Sequence, residues 1–172
     1  MTIKNSLFWI AAFVGLMADQ VTKYWVVQGM RLGESIPLWQ DVFHFTYTTN
    51  DGAAFGMFDG GVWWLRWLSL VVGLGLMAVA IFGPPLRRWE QLGWGFVLAG
   101  ALGNGIDRFA AGEVVDFLDA RFIRLPILNQ TFPIFNLADV FINVGIVCLI
   151  VAMFYDSPPT KNGDRPHSSH NY

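Results

Sequence analysis

Four long apolar runs govern what this chain can fold into. Leu7–Val27 carries only the charges Asp19 and Lys23, Val62–Gly83 carries only Arg66, and Gln91–Ile106 and Val140–Tyr155 carry none. Backbone polar groups in hydrocarbon must be satisfied within their own segment, so runs of this length predict transmembrane α-helices. Composition agrees: 14% of the 172 residues are charged and 54% are hydrophobic, whereas soluble domains run at about 25% charged. The expectation is an α-helical integral membrane protein with four transmembrane helices and a small extracytoplasmic β-hairpin or sheet on the outer face. One domain spans 1–155, with outer loops 28–61 and 109–136. At ~1.5 Å per residue the third run covers about 24 Å, so Asn104, Asp107 and Arg108 should emerge at one interface.

Lys4 followed by the apolar run Leu7–Ala18 has the outline of a secretory signal. No small-x-small cleavage site follows it, and the chain continues into Tyr24-Trp25-Val26-Val27, so the segment reads as a retained helix. With the N-terminus inside, the cytoplasmic loops hold Lys4, Arg87, Arg88, Lys161 and Arg165 against Arg31, Arg121 and Arg124 on the other side. That bias puts both termini in the cytoplasm. The tail 156–172, with Pro158-Pro159 and small polar residues, is expected to be a disordered cytoplasmic segment. No basic cluster points to nucleic acid. Cys148 is the single cysteine, which excludes an intrachain disulfide and suits helix packing. His44, His167 and His170 lack zinc-ligand spacing.

In the first loop Phe43, Phe45 and Tyr47 alternate with His44, Thr46 and Thr48, which is strand periodicity. Asn50-Asp51-Gly52 signals a turn, after which Ala53–Phe58 could return as a second strand. Val114–Leu118 reads as a short strand in the second loop, followed by a turn-rich stretch up to Pro133. Trp9, Trp25, Trp39, Trp63, Trp64 and Trp67 stand where interfacial anchors would. Gly95, Ala99 and Gly103 recur at four-residue spacing, a ridge that admits close approach of another helix.

Against this apolar background five carboxylates sit at or beside the ends of the runs: Asp19, Asp107, Asp116, Asp119 and Asp139. An aspartate at the bilayer centre costs roughly 2.5–3.5 kcal/mol even on an insertion scale, so their retention implies a use. Asp19 and Lys23 share a helical face at i,i+4, as do Asn104 and Arg108, while Asn136 and Asp139 share one at i,i+3. In the four-span topology all three pairs lie at the outer helix ends, with Asn50 and Asp116 in the loops above. Two aspartates held together share a proton, so the ionised one can activate water while the neutral one protonates a carbonyl or leaving amine. Simpler readings stand beside this. Asp19–Lys23 and Asp107–Arg108 can be neutralised pairs, Asp119 a solvated loop carboxylate, and Asn50 turn chemistry. Asp139 suits a helix dipole and Asn136 an N-cap. Asp116, flanked by Val114, Val115, Phe117 and Leu118, has no such explanation.

Five words in order, Asp-Gln-x-Thr-Lys at 19–23, Asn-x-Gly-Ala-Ala-Phe at 50–55, Gly-Asn-x-x-Asp-Arg at 103–108, Val-Val-Asp-Phe at 114–117 and Phe-Asn-x-Ala-Asp at 135–139, resemble signal peptidase II. The likeness covers about residues 7–155. It implies an aspartyl endopeptidase of the bacterial inner membrane, with its active site at the outer leaflet. Such an enzyme removes signal peptides from prolipoproteins by cutting before a diacylglyceryl-modified cysteine. By motif, Asp116 and Asp139 are the catalytic pair. Asp19, Lys23, Asn50, Asn104, Asp107, Arg108 and Asn136 are supporting residues: Asp19 and Lys23 structural, Asp107 ordering the Arg108 turn, the rest positioning substrate or dyad. The resemblance further implies lipid-modified prolipoprotein substrates, inhibition by globomycin, contact with membrane lipid, and no metal, cofactor or obligatory oligomer. The stretch Arg121–Gln130 matches no motif.

Other classes of function fit less of the pattern. A proton-coupled transporter using intramembrane carboxylates would show repeats, midplane helix breaks or a polar path across the membrane. Here the inner halves of the runs are almost bare of charge, and only Asn143 lies deeper. A prenyl- or phospho-transferase would need an aspartate-rich metal cluster, whose spacing is absent. A structural anchor leaves the converging polar face unexplained. Charge movement in proteoliposomes would mark the transporter, and EDTA sensitivity the transferase.

Overall fold

The computed structural model describes residues 4–52, 63–125 and 130–155. The return strand expected at Ala53–Phe58 and the tail 156–172 lie outside these residues. The chain runs α1 (Ser6–Gly29), β1 (Ser35–Trp39), β2 (Phe43–Asn50), α2 (Trp63–Phe82), α3 (Arg88–Ala110), β3 (Val114–Ala120), β4 (Arg124–Leu125), β5 (Gln130–Thr131) and α4 (Leu137–Tyr155). Each apolar run is a helix. Two, at Trp64–Phe82 and Leu137–Tyr155, are by length and composition alone apolar enough to cross a membrane.

The helices invert the usual polarity of a soluble bundle. In α1 the buried stripe is Phe8, Ala11, Ala12, Gly15, Asp19, Lys23 and Val26, while Phe13, Val14 and Trp25 are exposed. Hidden charges and exposed large apolar side chains suit an apolar surround, in keeping with a membrane protein.

At the centre lies α3, packed on all three other helices, and glycine lets it do so. A Cβ at Gly95 would stand 2.5 Å from the Phe8 carbonyl oxygen, and one at Gly103 would meet the Asp19 carboxylate. On another face Gly93 and Gly100 admit α4, where Gly145 and Ala138 approach as closely. The ridge expected from Gly95, Ala99 and Gly103 is thus the α1 contact, and a second glycine face serves α4.

Where α1 begins, side chains staple three helices. Asn5 donates from Nδ2 to the Ala80 carbonyl at 2.9 Å and accepts from the Leu86 N–H at 2.9 Å. Gln91 accepts from the Leu7 N–H at 3.1 Å, and Lys4 donates to the carbonyls of Ile81 and Gly83. These bonds satisfy end groups that the helices leave open.

At the opposite end is a three-stranded antiparallel sheet in the order β1-β2-β3. Phe43, Phe45 and Tyr47 pack on Val26, Phe117 and Leu118, seating it on the α1 end. The β2 strand therefore pairs with β1 before it and with β3. In the β2–β3 ladder Phe45 stands opposite Leu118 and Thr48 opposite Asp116, so Thr46 and Tyr47 share the single partner position of Phe117. Such a bulge reverses side-chain parity, turning Thr48 and Asn50 to the face that carries Asp116.

Asp119 is not the solvated carboxylate expected from its loop context. It is 7% exposed, lies inside β3, accepts from Thr46 Oγ1 at 2.9 Å and pairs with Arg121 at 2.8 Å. Burial without those partners would be costly, so Asp119 braces the sheet.

Close packing at glycine yields a paired prediction. Gly95→Val drives a side chain into α1 and should lower the thermal midpoint in detergent micelles by several degrees, in line with about 1–3 kcal/mol for overpacking. Gly75→Ala, at a position with nothing within 4 Å, should leave the midpoint unchanged or slightly raised.

Candidate active site

Lys23 lies 3% exposed in the helix interior. Its ammonium meets Asp19 at 2.9 Å, Asp107 at 2.8 Å and the Asn104 side-chain oxygen at 2.9 Å. Three donors thereby find three acceptors, the condition for tolerating a buried cation. The Asp19–Lys23 pair follows the i,i+4 spacing. Asp107, however, pairs with Lys23 rather than Arg108. Adjacent helix residues point about 100° apart and do not face each other. The second Asp107 contact is the Val115 N–H at 3.3 Å, so this carboxylate fixes the start of β3. Gln20, which the sequence reading passed over, bridges Asp19 at 3.2 Å and Asp107 at 3.1 Å. Its place inside the 19–23 word was the available signal.

Asp19 also reaches α4, accepting from the Ala138 N–H at 2.8 Å. Asn136 is the N-cap: its Oδ1 accepts from the Asp139 N–H at 3.1 Å, and Asp139 accepts in return from the Asn136 N–H at 3.2 Å. This reciprocal pair is a capping box with aspartate in the glutamate role. The N–H groups of Asn136, Ala138 and Asp139 at the start of α4 are thus filled by two carboxylates and an amide, and Asp139 is fixed in the act of capping.

Asn136 then turns outward. It is fully buried, and its amide nitrogen donates to Asp116 Oδ1 at 2.7 Å and to Asn104 Oδ1 at 2.9 Å. Asn104 donates to Asp139 Oδ1 at 2.9 Å. Lys23 settles the direction of this chain, because a cation on Asn104 Oδ1 forces Nδ2 toward Asp139. Asn50, brought round by the β2 bulge, donates to Asp116 Oδ2 at 3.2 Å and also accepts from the Gly52 N–H at 3.0 Å. It serves both the turn and the carboxylate. Arg108 donates to the Asn104 backbone carbonyl at 3.3 Å, its charge in the field of Asp116 and Asp139.

Asp116 and Asp139 line one cavity of about 650 Å³, a size typical of ligand sites. Its polar wall is Asn50, Asn104, Arg108, Asp116, Asp139 and Asn143, and its apolar wall includes Ile123, Phe132, Phe135, Val140 and Val144. Asp19, Lys23 and Asp107 stand behind that wall and do not line it. Asp116, 3% exposed, has its carboxyl pushed up to about 7, first by burial and then by the negative charge of Asp139. The hydrogen bonds from Asn50 and Asn136 and the Lys23 charge oppose the rise. Near neutrality the cavity therefore holds a carboxyl poised between its two protonation states. Among the described residues no three His, Cys, Asp or Glu side chains gather so as to hold a metal ion.

A model of the Signal peptidase (SPase) II family matches residues 11–155. The lipoprotein signal peptidase of Trichormus variabilis is 56% identical over 165 residues, covering 96% of this chain and all of that one. That of Microcystis aeruginosa is 61% identical over 152 residues, covering 88% of this chain and 94% of its own. A bacterial membrane enzyme solved by the in meso method at 2.3 Å resolution superposes with a TM-score of 0.77 at 30% identity, covering 95% of this chain and 99% of that one. With five motifs in order, the match over most of the length and a shared fold, the chain belongs to the signal peptidase II family.

Proposed function

We propose that this protein is an aspartyl endopeptidase that removes signal peptides from prolipoproteins, cutting before a diacylglyceryl-modified cysteine, with Asp116 and Asp139 as its catalytic pair. The observation that carries the reading is two carboxylates on one cavity, joined through Asn136, one of them poised near neutrality. Relatives named lipoprotein signal peptidase support the substrate class.

The pair works with one proton. The ionised carboxylate takes a proton from water as its oxygen attacks the scissile carbonyl, while the protonated partner gives its proton to the carbonyl oxygen. Return of a proton to the amide nitrogen lets the C–N bond break, leaving a carboxylic acid and an amine and restoring the pair. Asn136 holds the two carboxylates in register, and Asn104 orients Asp139. Arg108 and Asn50 supply donors to a substrate backbone that has left its own hydrogen bonds behind.

In the membrane reading all four helices span the bacterial inner membrane with both termini cytoplasmic, and the sheet lies at the outer leaflet. The exposed apolar faces and the loop distribution of Lys and Arg support it. The buried Asp19–Lys23–Asp107 cluster explains how α1 and α3 can carry charge into that layer. A lipidated substrate would enter sideways along Val140 and Val144, with its acyl chains remaining in lipid.

A gel-shift assay with purified protein and a diacylglyceryl-modified prolipoprotein tests the reading. Wild type should cleave before the lipidated cysteine, while Asp116→Asn and Asp139→Asn, each folded, should lose roughly a hundredfold to ten-thousandfold in kcat/KM, the scale of a lost general acid or base. Retained cleavage in either variant would remove that residue from the chemistry.

The pH dependence has a definite sign. Only the singly protonated pair is active, so kcat/KM should fall above an apparent pKa of about 7 as Asp116 loses its proton. The same proton affects stability. The native state keeps it from the ordinary value of 3.8 up to about 7 while the unfolded chain releases it, so stability should decline as pH rises through that window. Denaturant titrations of wild type and Asp116→Asn should diverge there, the variant showing the shallower decline.

A further inference from the structure

Asn143 is the one amide in α4, four residues beyond Asp139 in an otherwise apolar segment. It is exposed, and it lines the cavity that holds Asp116 and Asp139. One of its N–H groups is used, donated to the Asp139 carbonyl at 2.8 Å. The second N–H and the side-chain oxygen have no partner among the described residues. Hydrocarbon supplies none, and an open amide at that depth is costly. Its neighbours on the cavity wall, Val140 and Val144, can offer it nothing.

We infer that Asn143 is a substrate-positioning residue that pairs with the backbone of the signal peptide on the membrane side of the scissile bond. This rests on the peptidase reading above. One free donor and one free acceptor in a single planar group match what an extended chain presents. There, the N–H and C=O of one residue point the same way, as they do toward a neighbouring strand. Four residues of helix place Asn143 about 6 Å along the axis from Asp139, and two residues of extended chain cover about the same distance. The target is therefore the second residue on the signal-peptide side of the cut. A peptide must unwind there to reach the carboxylates, which strips that residue of its helical hydrogen bonds just where water is scarce. Asn143 replaces them. It touches no reacting atom, so its effect falls on binding rather than on the chemical step.

Two measurements with the full-length protein in lipid–detergent micelles test this. The first compares wild type with Asn143→Leu and Asn143→Gln on a diacylglyceryl-modified prolipoprotein peptide. The second uses the same peptide with an ester in place of the amide N–H at that second residue. Loss of one or two hydrogen bonds felt equally in ground and transition states should raise KM roughly tenfold in Asn143→Leu, with kcat within about twofold and the pH profile unmoved. Asn143→Gln should recover part of the loss. The ester peptide should raise KM with wild type and add little further to Asn143→Leu, because the bond is already gone. The ester–amide comparison with wild type needs no variant, so that arm does not depend on a variant folding. Wild-type KM in Asn143→Leu, or equal KM for the ester and amide peptides with wild type, would overturn the inference alone. An inert wild type would instead overturn the peptidase reading, and this assignment with it.

Discussion

A single buried ammonium organises the site. Lys23 joins α1 to α3 through Asp107 and, through Asn104, sets the direction of the amide chain that ends on Asp139. Its partner Asp19 joins α1 to the first turn of α4. Remove the cation and two carboxylates lie buried together with nothing to neutralise them, a situation that costs several kcal/mol. Glycine makes the arrangement possible, because only at Gly103 can α3 come close enough for Asp19 to lie against it. The cluster is structural in its contacts, yet every polar bond from Asn104 inward takes its direction from it.

The pair of carboxylates draws on opposing effects. Burial and like charge raise Asp116, while Asn50, Asn136 and Lys23 restrain the rise. Without the restraint Asp116 would keep its proton to higher pH, and the upper limit of the singly protonated state would move up with it. Without burial Asp116 would be ionised near neutrality, and the proposed mechanism would have no acid to protonate the carbonyl oxygen. Burial and like charge keep one proton on Asp116, and the opposing contacts set the pH at which it leaves. The three elements that supply them, the bulged β2, β3 and the capped start of α4, meet only where the sheet rests on the helix ends.

Much of this was legible in the sequence because hydrocarbon allows so few exceptions. Apolar runs became helices, and the polar words at their ends became the buried stripe and the cavity wall. Where the reading failed, the cause was three-dimensional pairing. Asp107 was matched with its neighbour Arg108, although helical geometry turns adjacent side chains apart and the true partner, Lys23, is on another helix. Asp119 looked solvated because nothing local showed that β2 would bring Thr46 against it, alongside its near neighbour Arg121. The β1 strand went unseen because Ser35–Trp39 contains Pro37 and is exposed along its length, as suits an edge strand. The bulge in β2 has no sequence signature, so the dual service of Asn50 to turn and carboxylate emerged only with the register.

In the proposed mechanism Asp116 and Asp139 hold one proton between them near neutral pH. Infrared difference spectroscopy on protein with isotope-labelled aspartate, between about pH 5.5 and 8.5, reads that proton directly. A protonated-carboxyl band should titrate with a midpoint of about 7 in wild type and be missing from Asp116→Asn. A spectrum with no protonated aspartate at the acid end, or a band that persists unchanged in Asp116→Asn, would contradict that mechanism.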